Sequence, residues 1–196
     1  MNNAVAVIAF LISLISFYIS IFGIPGTLQP LKPTGYAIIR GDNSFPSDYI
    51  VLPLEWENTS TNPALIRQPK LVLNELDGNG KETGDNYRFL AAGEYPEISA
   101  DAFSKPFVIK DSFIAESHTV TEKILVFHYE RWWDTNDKLY MFRFKGNQKF
   151  SVTIEFQVNS ESKRQIKLFE LPIYLNADQL QINRDKLWWD YFYLDN

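Results

Sequence analysis

Two hydrophobic periods divide the chain. From Ala4 to Ile24 every position is Ala, Val, Ile, Leu, Phe, Ser, Tyr or Gly, an apolar run without the charged face that marks a surface helix. At about 1.5 Å per residue it reaches across roughly 30 Å of hydrocarbon, which predicts one transmembrane helix over residues 1–24. The competing reading, a cleaved signal peptide, calls for a basic leader and a small-residue cleavage site, whereas Met1-Asn2-Asn3 and Gly23-Ile24-Pro25-Gly26 offer neither. From Tyr36 onward the period is two. Phe150, Val152, Ile154, Phe156 and Val158 alternate with Ser151, Thr153, Glu155 and Gln157, as on a half-buried strand. Ile50, Leu52, Leu54 and Trp56 alternate in the same way with Val51, Pro53, Glu55 and Glu57, and Pro53 predicts an edge position. Further strands are expected at Tyr36–Arg40, Leu65–Leu76, Phe107–Lys110, Val120–Glu130, Leu139–Lys145 and Gln165–Leu175.

Asp77-Gly78-Asn79-Gly80, Lys145-Gly146-Asn147-Gln148 and Asn159-Ser160-Glu161-Ser162 are compact turn sequences between such runs and read as hairpin connections. Seven or eight strands with short turns and no amphipathic helix among them give an all-β fold, an antiparallel immunoglobulin-like β-sandwich. The expected organisation is a helix over 1–24, a proline-rich spacer over 25–35 and a β domain over 36–196 that ends in an aromatic segment.

Within the helix, Ala6, Ala9, Ser13, Ser16, Ser20 and Gly23 follow one another at spacings of three and four. Small side chains on one stripe let two helices approach closely, and a 3.5-residue repeat implies left-handed packing against itself or another transmembrane protein. The plainer alternative is that the serines bond their own helix carbonyls and the stripe has no partner.

Charge adds location and removes partners. Residues 1–31 carry no charged side chain, and 24 acids against 19 bases leave a net charge of −5, which excludes the basic surface that nucleic acid requires. Lys32 and Arg40 follow the helix while its short N-terminal tail has no basic side chain, so the flanking charge favours a cytoplasmic β domain. With no cysteine, disulfides, thiolate nucleophiles and cysteine-ligated metals are excluded.

Candidate chemistry is sparse. His118 and His128 lie ten residues apart and would share a face of a regular strand, but the better core face there is Leu125, Phe127 and Tyr129. Asp77–Lys81 lacks the ligand spacing of a calcium loop, and Glu55 with Glu57 reads as a solvated strand face. Asn58-Thr59-Ser60 matches a glycosylation sequon. No catalytic, cofactor-binding or metal residue is assigned. The 30 aromatic residues form the larger signal, with Trp132-Trp133 and Trp188-Trp189 as paired tryptophans. Either these dock within the domain or they form a partner surface.

The layout of an apolar Ser-rich N-terminal helix, a proline-containing spacer and a β domain with an early Glu57-Asn58-Thr59-Ser60 turn resembles uncharacterised bacterial single-pass membrane proteins with an anchor helix and an immunoglobulin-like sandwich. That resemblance implies a tethered sandwich and carries over no site residues. The expected function is a membrane-anchored, non-enzymatic binding or assembly module. The alternative is a tethered enzyme or ligand sensor with its site in the loops Gly41–Asp48, Asp85–Ser104 or Asp134–Asp137.

Overall fold

The structure, a computed structural model, describes residues 2–22, 26–41, 47–99, 102, 107–130, 142–159, 164–173 and 189–193. Among the described residues the helix α1 (Asn2–Phe22) precedes eleven strands: β1 (Leu28–Pro30), β2 (Gly35–Ile39), β3 (Tyr49–Asn58), β4 (Ala64–Leu76), β5 (Glu82–Tyr95), β6 (Val108–Ile109), β7 (Ser112–Ala115), β8 (Thr119–Tyr129), β9 (Gln148–Val158), β10 (Arg164–Ile173) and β11 (Trp189–Tyr193). Side chains of the helix are described over residues 5–19, and every one of them is exposed. Among the described residues no helix is long and apolar enough to cross a membrane.

All strand pairings are antiparallel and belong to one sheet, in the order β10-β9-β4-β5-β8-β3-β2-β11, with β1, β6 and β7 attached to β3, β5 and β4. The sheet curls over on itself. Trp56 of β3 meets Phe156 of β9 edge-on, with ring centroids 4.9 Å apart, although three strands separate β3 from β9 along the hydrogen-bonded path. The enclosed face carries the main core, including Ile38, Leu52, Trp56, Leu71, Leu73, Phe89, Phe127, Phe150 and Ile154. A second cluster of Ala37, Ile39, Val51 and Val126 with Tyr95 and Ala102 covers the opposite face. Strand β2 is therefore buried on both sides, which is why its sequence does not alternate.

The curl has a local cause. Strand β4 shifts register against β9 between Arg67 and Lys70, β5 shifts against β8 between Ala91 and Gly93, and Gln68 sits at φ 48°. Such bulges bend and twist a strand. The two strands splay apart at that level and the segment 107–115 fills the gap: Gln68 N donates to Asp111 O at 2.8 Å and Lys110 N to Ala92 O at 3.3 Å. Gly93 permits this seating, since a Cβ there would lie 2.1 Å from Val108 O and 2.6 Å from the Phe107 ring.

Four expectations need correction. Pro53 is not on an edge strand, because β3 lies between β8 and β2. It sits where β2 pairing has ended at Val51 and β1 pairing begins at Trp56, so its missing N–H breaks no ladder bond. Residues 142–145 are not strand; Phe142 and Phe144 are instead drawn into the core, where Phe89 stacks on Phe144 with centroids 6.2 Å apart. The interval Asp85–Ser104, expected as a loop, holds most of β5, whose pairing with β4 overrides the lack of alternation in Tyr87–Ala91. The sheet also reaches into the expected spacer through β1.

Candidate functional site

The strand register sets two ends. Thr27, next to β1, receives a bond from Thr59 N at 2.9 Å, and Asn58, at the end of β3, bonds Ala115 O of β7. Gly26 is pressed so closely on the chain beyond Asn58 that a Cβ would lie 2.3 Å from Ser60 N. This end, where the helix joins, is the proximal one. Strand β4 runs away from it for 13 residues, roughly 40 Å at about 3.3 Å per residue, to the Asp77–Lys81 turn.

Toward the other end lies the most developed polar cluster of the described residues. Ile38 pairs with Ile50 and Ile39 with Tyr49, so Arg40 comes opposite Asp48. Their side chains are 6% and 0% exposed. Asp48 accepts from Arg40 Nη1 at 2.5 Å, Gly41 N at 3.1 Å and Phe144 N at 2.9 Å. Arg40 also donates to Phe144 O at 3.1 Å, Arg143 Nη2 donates to Gly41 O at 3.0 Å, and Phe142 N donates to Ser47 Oγ at 3.2 Å. Burial pushes the Asp48 carboxyl above its ordinary range, against Arg40 and the two amides, and lowers Arg40 against the pull of Asp48. The pair ties the β2–β3 hairpin to the 142–145 segment, and beneath it Tyr87, Phe89, Tyr129, Phe142, Phe144 and Phe150 form a continuous group of ring contacts.

The tryptophan pairs relate to this end through the backbone. Trp132 and Trp133 lie outside the described residues, but the flanking Glu130 and Phe142 are held here: Glu130 N donates to Arg88 O at 2.8 Å and Asp48 N to Phe142 O at 2.9 Å. Trp188 is likewise outside the described residues, and Trp189 pairs by backbone with Ile39, one residue before Arg40. The segment Trp189–Tyr193 thus forms the strand beyond β2, and Trp189 enters the sheet one residue from Arg40 of the buried ion pair.

On α1, Ala6, Ala9, Ser13 and Ser16 are exposed, as are Leu11, Ile15 and Tyr18 away from the stripe. Ser20 is helical, and Gly23 lies outside the described residues.

The two histidines are not brought together. His118 is in the turn before β8 at φ 51°, with its N–H on Ser60 O, whereas His128 pairs with Tyr49 near the far end of that strand. The strand-parity reading fails because His118 is not in the strand. Among the described residues no three metal-ligating side chains cluster. Asp77 binds its own turn, accepting from Asn79 N and Lys81 N at 2.8 and 2.9 Å. The sequon asparagine is consumed structurally: Asn58 is 1% exposed, donates to Asn62 O and Ala115 O, and accepts from Ser60 N and Oγ. Its amide nitrogen is not available for glycosylation in the folded domain.

Burial lowers the His128 imidazole below its ordinary value, with the Tyr129 carbonyl contact opposing. A base whose folded pKa is depressed binds protons better when unfolded, so stability is present above its unfolded value and is lost as pH falls through about 6.5. Urea midpoints measured between pH 7.5 and 5 should fall with acidification, and His128→Gln should flatten that decline.

Sequence reading missed the Arg40–Asp48 pair, although its signal was present: opposite charges flank Gly41–Ser47, and recognising β2 and β3 as a hairpin puts them in register. The roles of Asn58 and Gly26 leave no comparable mark. No protein-family model and no curated protein matches the chain.

Proposed function

We propose that the protein is a membrane-anchored, non-enzymatic binding module: a single-pass helix over residues 4–24 carrying an immunoglobulin-like sandwich whose end bearing the tryptophan pairs meets a partner. The observation that carries the reading is the helix. Its described face is apolar all round, uncharged and wholly exposed, an arrangement costly in water and stable in lipid. The sandwich reading is supported by strand order. Taking β2, β3, β4, β5, β8, β9 and β10 as A to G, the path becomes G-F-C-D-E-B-A, in which A-B-E-D and C-F-G are the two immunoglobulin sheets, joined here through the β4–β5 hairpin. Packing of Trp56 on Phe156 brings those halves face to face.

A binding role is supported over catalysis because the polar cluster at the tryptophan-bearing end is buried and internally satisfied, which suits a rigid base for presenting loops. Itself or another transmembrane protein is the proposed helix partner through Ala6, Ala9, Ser13, Ser16, Ser20 and Gly23, and the flanking charge supports a cytoplasmic domain. Flotation with phosphatidylcholine vesicles tests the anchor. The full chain should float and resist carbonate. Residues 26–196 should stay at the bottom of the gradient with an intact β-sheet circular dichroism spectrum, and Ile12→Lys with Ile15→Lys should abolish flotation of the full chain. Flotation of residues 26–196 overturns the reading.

A further inference from the structure

We infer that the proximal rim of the β domain, presenting Ile114 and Val120 among mainly hydroxyl and amide side chains, rests on the headgroup layer of the bilayer that holds α1. This rests on the anchor reading and adds a second, peripheral contact to it.

The tether is the first observation. Helix α1 ends at Phe22 and Gly26 is seated against Ser60. Four residues of chain reach at most about 14 Å, and if the hydrocarbon segment ends at Ile24 the remaining distance is about 7 Å. A headgroup layer is roughly 5–8 Å thick on each side. The seat is firm: Thr27 N donates to Thr59 Oγ1 at 2.8 Å, Thr59 N to Thr27 O at 2.9 Å and Leu31 N to Glu55 O at 2.8 Å. The domain therefore cannot stand off on a flexible leash, and the residues around Ser60 must lie at the membrane surface.

Composition is the second observation. Residues 26–31 and 58–66 contain no charged side chain, and 112–120 contains only Glu116 besides His118; Glu57, the cross-strand partner of Val120, borders this surface with its carboxylate bonded by Gln29 Nε2 at 3.1 Å. The turn before β8 joins this surface through His118 N on Ser60 O. Around it stand Thr27, Thr59, Ser60, Thr61, Asn62 and Thr119, polar side chains without formal charge that enter a headgroup layer without the desolvation cost of a charge. Ile114 and Val120, on the two strands that flank this turn, are each 53% exposed. By contrast, Asp77, Lys81, Glu82 and Asp85 crowd the opposite tip of the sheet. A polar, nearly uncharged rim with two apolar side chains is the chemistry of the interfacial layer, where an apolar residue gains by partial insertion.

The absence of native cysteine makes a depth measurement clean. Ile114→Cys, Val120→Cys, Asn79→Cys and Ile12→Cys, each in the full chain, are labelled with an environment-sensitive fluorophore and reconstituted in phosphatidylcholine–phosphatidylglycerol vesicles. Quenching by headgroup-nitroxide lipid is compared with quenching by lipid brominated deep in the acyl chain. Labels at Ile114 and Val120 should be quenched by the headgroup nitroxide several-fold more than the label at Asn79, while the label at Ile12 should respond to the deep quencher. If Ile12 responds and the two rim labels match Asn79, the rim inference fails and the anchor stands. If Ile12 does not respond to the deep quencher, both fail.

Discussion

Replacing Arg40 by Met should destabilise the β domain by about 3–5 kcal/mol, because it leaves the Asp48 carboxylate buried without its counter-charge. Asp48 is wholly inside, and its remaining donors, the amides of Gly41 and Phe144, cannot neutralise it. Burial already pushes its carboxyl upward with Arg40 in place. Chemical denaturation of residues 26–196 measures the loss. The double variant Arg40→Met, Asp48→Leu should cost clearly less than the sum of the single changes, since a matched pair is removed together and what remains is two amides without an acceptor and the Phe144 carbonyl without its Arg40 donor. Additive costs would mean that the ion pair contributes nothing as a pair. A lowered β-sheet signal from Arg40→Met should be accompanied by faster amide exchange at Phe142 and Phe144, whose N–H groups are held by Ser47 and Asp48 of the β2–β3 hairpin.

Trp56→Ala should cost about 3–5 kcal/mol, the range for removing a buried aromatic from a core that only partly collapses. Trp56 is fully buried and holds β3 against Phe113 of β7 and Phe156 of β9 at centroid distances of 5.4 and 4.9 Å. At roughly 2–4 °C per kcal/mol for a domain of this size, thermal midpoint should fall by about 10 °C. Trp56→Phe should cost less than half as much. It keeps an edge-on ring in the same place and removes an indole N–H that has no hydrogen-bond partner among the described residues. If the two substitutions cost the same, it is indole volume rather than the aromatic contacts that joins the two halves of the sheet.

How much of this was legible in the sequence depends on which interaction fixed each element. Strand β9 was clear because one face is core and the other is polar, so alternation survives in Phe150–Val158, whereas in β3 polar residues alternate only from Glu55 on, since Ile50–Leu54 is buried on both faces. Strand β5 was not legible: its first five residues are exposed on both faces, and it is held by pairing with β4 through the Asp77–Lys81 turn, a tertiary effect with no periodic signature. Strand β6 lies within the expected Phe107–Lys110, whereas β7 was not legible, and the reason these two short strands exist is another one. They exist as a filler between strands splayed by two bulges, and bulges have no sequence period. Of the candidate site, the tryptophan pairs were evident as composition, but the position of Trp189 and of the residues that flank Trp132 and Trp133 depends on β11 adding to β2 and on Phe142 reaching Asp48. Those are contacts between residues about 100 or more positions apart. The helix stripe was legible as spacing, and the exposure of Ala6, Ala9, Ser13 and Ser16 is shared by the other described faces of the helix.

The central claim is that α1 lives in hydrocarbon while the sheet lives in water. Amide hydrogen exchange of the full chain reconstituted in phosphatidylcholine bilayers tests it most directly, because exchange requires water at the amide. Residues 5–19 are expected to remain protected for hours, longer than an exposed helix of that length can hold its bonds in water, while the Asp77–Lys81 turn exchanges within seconds. Exchange of residues 5–19 as fast as that turn, with the sheet still protected, would contradict the claim and leave the helix a surface appendage of the β domain.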